Sequence, residues 1–125
     1  MKLTFIGDGG VRTPLVMQSV LNYQERLPLE TVCMMDVDQE RLDLMRLACK
    51  PRLAKGAKFR IEWTADARKA IDGADFIITT FRQGGLESRV IDEQVPLKYG
   101  VLGQETTGPG GFAMALRTIP IMLNY

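Results

Sequence analysis

The chain has 125 residues, 46% of them apolar and 25% charged, the balance of a soluble globular domain and not of a disordered, collagenous or coiled-coil chain. Sixteen Lys and Arg against fifteen Asp and Glu leave a net charge of +1, which gives no electrostatic footprint for nucleic acid or anionic lipid. Histidine is absent, and Cys33 and Cys49 have no CxxC spacing, so a zinc site and Ser-His or Cys-His nucleophiles built from this chain are excluded.

The length predicts one domain, and a two-domain enzyme would need more chain. The first apolar run breaks at Gly7, too short for a signal peptide or a membrane span. A cytoplasmic protein with reduced thiols is the expectation.

Leu3 to Ile6 reads as a strand, ended by Gly7, Gly9 and Gly10; from Thr13 the apolar period lengthens to that of a helix running to about Gln24. Thr13 and Pro14 suit its cap and first position. Thr31 to Met35 is a second strand without alternation, as in a strand buried on both faces. It closes on Asp36-Val37-Asp38, and Asp38 can cap a helix that ends near Pro51. Phe59, Ile61 and Trp63 alternate with Arg60 and Glu62, the pattern of a strand with one wet face, nearer an edge. Asp66 opens a short helix through Ile71, Gly73 ends it, and Phe76 to Thr80 is a fourth strand, expected to be buried. Alternating strands and helices predict an α/β fold with a doubly wound, Rossmann-like parallel sheet. Beyond Thr80 the composition turns Gly-rich and polar, read as a long loop. An apolar helix then spans about Phe112 to Leu123, and the chain reads as an N-terminal fragment.

The turn Gly7-Asp8-Gly9-Gly10-Val11-Arg12-Thr13 joins a strand to a helix N-terminus, where backbone N–H groups can meet a pyrophosphate. It departs from GxGxxG, whose third glycine falls at Arg12, and by itself a glycine-rich turn needing positive φ explains it as well. Asp36 tips the balance: a carboxylate at the end of the second strand can accept from the ribose hydroxyls and would repel a 2′-phosphate, favouring NAD over NADP. The predicted cofactor-binding residues are Gly7, Gly9, Gly10, Arg12, Thr13 and Asp36. Arg82, Arg89, Lys98 and Glu105 are expected near the rim beyond the strand ends, where doubly wound sheets gather ligands.

TFRQGGLESR, DEQVPLKYGVLGQETTGPGG and ALRTIP, with GDGGVRTP and MMDVD, closely resemble the family 4 glycoside hydrolases over the entire chain. That family stands outside the two-carboxylate glycosidase scheme. The resemblance implies an NAD- and divalent-metal-dependent glycosidase, the metal usually manganese. NAD+ takes hydride from C3 of the sugar, a tyrosine removes the C2 proton, the aglycone is eliminated, water adds and the ketone is reduced back. It implies that Arg89 binds substrate through its forked donors. Glu105 would raise the basicity of the tyrosine, since a nearby negative charge stabilises the protonated phenol. The tyrosine and the metal's Cys and His ligands fall in later sequence. Cys33, Cys49, Tyr23, Tyr99 and Tyr125 inherit neither role, and no metal ligand is assigned within these residues.

The reading is the NAD-binding part of a 6-phospho-β-glucosidase-like enzyme, the catalytic and metal domain being absent and the 125 residues alone inactive. Its partner would be a sugar or sugar phosphate, without nucleic acid or membrane, and the full-length protein a homo-oligomer. Two alternatives stay open: a non-catalytic NAD-binding or redox-sensing module, and a lactate or malate dehydrogenase relative.

Overall fold

The computed structural model describes all 125 residues, which divide into two compact units, Met1–Phe81 and Arg82–Tyr125. The break falls where the composition changes. No helix is long and apolar enough to cross a membrane.

The first unit is a parallel four-stranded sheet. Its elements in chain order are β1 (Lys2–Ile6), α1 (Thr13–Tyr23), β2 (Thr31–Met35), α2 (Gln39–Leu53), β3 (Arg60–Thr64), α3 (Ala67–Ile71) and β4 (Phe76–Thr79), with strand order β3-β2-β1-β4. Register aligns Leu3, Val32 and Ile61, and likewise Phe5, Met34 and Trp63. Because strand side chains alternate, these six share the face that packs with Met17 and Val20 of α1 and Leu42 and Cys49 of α2. Thr4 and Cys33 lie on the opposite face, where the Thr4 hydroxyl donates to the Ala70 carbonyl of α3 at 2.9 Å. Every residue of β2 is buried, as its lack of alternation predicts, and β3 is an outer strand with Arg60 exposed. The chain steps outward from β1 to β3, then returns through α3 to pair β4 with β1. The order therefore reverses between β1 and β4, the position where doubly wound sheets receive ligands.

Three expectations are corrected here. β4 is exposed along its whole length. It pairs with β1 alone, and α3 lies over β1, β2 and β3; an apolar run shows fitness for cover, whereas burial needs a layer to provide it. Helix α1 begins at Thr13 behind Arg12, and the Thr13 hydroxyl serves the turn instead of capping the helix.

The third correction concerns the second unit, where the stretch read as a loop contains α4 (Gly85–Leu97). Its glycines stand at the helix start, Gly84 just before it and Gly85 as its first residue. Gly84 has φ 83° and Gly85 φ 59°, a left-handed lead-in that suits residues without a Cβ. The final helix, α5 (Gly108–Met122), starts earlier than Phe112. Its first turn holds Gly110, where a Cβ would stand 2.0 Å from the Gln104 carbonyl oxygen; that glycine serves close packing.

Candidate functional site

In the first unit the turn after β1 is held from three sides. The N–H groups of Gly7 and Asp8 both donate to the Met35 carbonyl, at 2.8 and 3.0 Å, so the turn crosses over the end of β2. The Thr80 hydroxyl donates to the Gly7 carbonyl at 3.1 Å from the end of β4. Gly7 has φ 98°, and a Cβ there would lie 2.5 Å from the Phe81 backbone nitrogen, so both conformation and space demand glycine.

Gly9 donates to Asp36 Oδ2 at 2.7 Å, and a Cβ on it would meet that carboxylate. Asp36 Oδ1 accepts from the Asp38 N–H at 2.9 Å. Asp36 thus locks the turn to the end of β2 while each oxygen keeps a second lone pair for a ligand. Gly10 faces open space. The N–H groups of Gly10, Val11 and Arg12 donate to nothing in the chain, and the exposed Arg12 forms no ion pair. Unpaired N–H groups, a positive helix end and open space above them are what an anion such as a pyrophosphate requires. A dinucleotide fits these residues: phosphates at Gly10 to Arg12, a ribose at Asp36.

Asp8, missed as a site residue in the sequence, lies beneath this turn. It is 3% exposed. The Thr13 hydroxyl donates to its carbonyl at 2.7 Å and lies 3.1 Å from its Oδ1, but Oδ2 is buried without a partner. Burial pushes the carboxyl up to about 6, the Thr13 bond opposing and the Asp36 charge adding to the rise. Its only sequence signal was a carboxylate between Gly7 and Gly9.

In the second unit Glu105 joins two arginines. Its Oε2 takes Nη2 of Arg82, and Nη1 of Arg89 lies 3.1 Å from the same oxygen. Arg89 also donates from Nε to Glu93 at 2.7 Å, one helical turn along α4; that bond is the main reason its guanidinium pKa is raised. The fold brings Arg82, Arg89 and Glu105 together and leaves Lys98 exposed at the end of α4. Behind them Asp92 of α4 receives both terminal nitrogens of Arg117 of α5, the nearer pair at 2.5 Å. Arg117 holds Asp92 below its ordinary value against the opposing push of burial. No local pattern could signal this pair, whose members are 25 residues apart.

No three Cys, Asp and Glu side chains gather into a set that could hold a metal ion. Both thiols are buried, Cys33 on β2 and Cys49 on the core side of α2, and burial raises the pKa of each. These residues do not fit a metal centre.

The sequence model of the family 4 glycosyl hydrolases matches residues 2–125. The 6-phospho-beta-glucosidase BglT of Thermotoga maritima is 38% identical over 100% of this chain and 30% of its own length. The 6-phospho-alpha-glucosidase 1 of Lacticaseibacillus paracasei is 39% identical over 91% of this chain and 26% of its own. Among solved structures, the Thermotoga maritima 6-phospho-beta glucosidase with manganese, NAD+ and glucose-6-phosphate superposes with a TM-score of 0.89 at 38% identity, covering 100% of this chain and 31% of that one. A 6-phospho-alpha-glucosidase from gut microorganisms, with NAD and glucose-6-phosphate, gives 0.85 at 33%, covering 99% of this chain and 28% of that one. The chain thus spans about 30% of the length of such relatives. The match runs through the glycine turn, Asp36 and the Arg89–Glu105 segment alike, and the chain belongs to family 4 of the glycosyl hydrolases.

Proposed function

We propose that this chain is the nucleotide-binding N-terminal part of a cytoplasmic, homo-oligomeric, NAD- and manganese-dependent 6-phospho-glucosidase. The observation that carries the reading is the turn at Gly10 to Arg12, with its unpaired N–H groups in open space beside Asp36 at the end of β2. NAD, when bound, supplies reversible hydride exchange with the sugar. Gly10, Val11 and Arg12 hold its pyrophosphate, Gly7, Gly9 and Thr13 shape the turn, and Asp36 accepts from a ribose hydroxyl. Arg89 takes the sugar phosphate through its forked donors. Glu105 strengthens a tyrosine base supplied, like the metal ligands, by the rest of the protein.

The phosphorylated substrate is supported by the glucose-6-phosphate in the solved relatives of both linkage types. The β linkage is the finer choice, following the Thermotoga maritima enzyme, which is similar over the whole chain. Family membership removes the lactate or malate dehydrogenase alternative.

The test is hydrolysis of p-nitrophenyl β-glucoside 6-phosphate by the full-length protein with NAD+, manganese and a reductant. Turnover is expected only with NAD+ present, and neither the unphosphorylated glucoside nor the α-linked phosphate should replace the substrate. The 125 residues alone should hydrolyse nothing. A full-length protein that binds NAD+ yet turns over none of these compounds would be the non-catalytic module instead.

A further inference from the structure

Asp8 presents a conflict that its surroundings do not resolve. It is a carboxylate 3% exposed in the turn assigned to a pyrophosphate, with Oδ2 buried and unpartnered. It is two residues from Gly10, hence within about 7 Å along the chain. The groups that face it from the surrounding elements are the Thr13 hydroxyl of α1, the Asp36 carboxylate after β2 and the Cys49 thiol of α2, which Asp8 itself pushes upward. Arg41 of α2 packs its Cβ near Gly9, but its ion pair is with Asp38. No lysine or arginine pairs with Asp8, and its charged neighbour Asp36 has the same sign.

A pyrophosphate placed over this turn would add negative charge above an already unpaired buried anion. We propose that Asp8 is a member of the nucleotide site in its neutral form, so that binding of the dinucleotide draws protons from solvent and raises the protonated fraction of the Asp8 carboxyl. The proton makes the unpartnered carboxylate a neutral acid and removes the repulsion at its source. The acid already sits near neutrality, at about 6, before any phosphate arrives, and the added charge moves it further in the same direction. The proposal rests on the nucleotide reading of this turn.

The experiment is calorimetric titration of NAD+ into the full-length protein, in buffers of different ionisation enthalpy, from pH 5.5 to 8. Wild type should take up roughly half a proton near pH 6.5 and lose about fivefold in affinity from the acid to the alkaline end. In Asp8→Asn the uptake should vanish and the affinity become flat with pH; Asp8→Gly replaces it should the first variant fold poorly. Binding by wild type without proton uptake, or uptake that persists in the variants, overturns the proposal and leaves the nucleotide reading standing. Absence of any NAD+ binding by wild type overturns the nucleotide reading and the proposal with it.

Discussion

Each unit buries one aspartate, and the two are treated in opposite ways. Asp8, at 3% exposure, has a hydroxyl for a partner and is pushed up to about 6; Asp92, at 5%, has the fork of Arg117 and is held below its ordinary value. Both are nearly closed to solvent, but Asp8 lies deeper in the protein, so depth and partner together set the direction of each shift: burial dominates at Asp8 and the Arg117 bond at Asp92. The contrast extends to how the units cohere. The first is held by parallel ladders and a core of Leu3, Phe5, Met17, Val32, Met34 and Leu42. The second is held by arginine–carboxylate contacts and glycine-mediated close approach, with α4 burying only Asp92 and Pro96. Where apolar cover is abundant, a polar group can be left strained in a turn; where cover is thin, each buried charge needs its counter-ion.

The comparison breaks first at Gly7. Gly7→Ala adds a Cβ at positive φ against the Phe81 backbone and should destabilise by about 4 kcal/mol, from left-handed strain and overpacking together. Thermal melting checks it, and a loss under about 1 kcal/mol would mean that the turn moves freely.

The two aspartates sharpen the comparison through pH. A raised native pKa makes Asp8 increasingly unfavourable to folding as pH climbs from about 4, and the penalty is complete above about 6; its relative contribution is best below pH ~4, where folded and unfolded forms are both protonated. Asp8→Asn should therefore gain stability at pH 8, by at most about 3 kcal/mol, and gain none near pH 4. Asp92 runs the other way: its lowered pKa stabilises above about pH 4, and the benefit is lost as pH falls through its native value. Asp92→Asn should lower the melting temperature at neutral pH and matter least in strong acid. Parallel pH profiles for the two variants would show that partner chemistry does not separate them.

A kinetic division comes next. In the full-length enzyme Glu105→Gln should cut kcat roughly a hundredfold and shift its pH profile, whereas Arg89→Ala should chiefly raise KM for the sugar phosphate. Equal effects on kcat and KM from both would mean that the shared Oε2 contact makes one structural unit of them. The smallest effect belongs to Asp36→Ala, which should weaken NAD+ binding about tenfold, or 1.4 kcal/mol, with KM for the sugar unchanged at saturating NAD+. Unchanged NAD+ affinity in a folded variant would leave Asp36 as a lock for the turn through Gly9 alone.

Strand positions, the helix cap at Asp38, the second at Asp66 and the outer place of β3 were legible in the sequence, because each follows from period and local chemistry within a few residues. That Gly7, Gly9 and Gly10 form one turn beside Asp36 was legible for the same reason, their spacing being a property of a single strand-turn-helix-strand unit. α4 was hidden because its glycines and prolines, averaged over the stretch, resemble a loop, although Gly84 and Gly85 lead into the helix and Pro96 sits in its last turn.

The sequence by itself therefore determined the alternation of strands and helices, the parallel sheet and the glycine turn beside Asp36, since periodicity, glycine and caps act over short distances. Only the tertiary structure decided that β4 returns to pair with β1, that Arg82 and Arg89 meet on one oxygen of Glu105, and that Asp8 is buried without a cation while Asp92 has one. Those outcomes depend on which distant groups arrive beside one another. Burial and charge pairing depend on every neighbour in space, and local sequence does not specify neighbours twenty-five or seventy residues away.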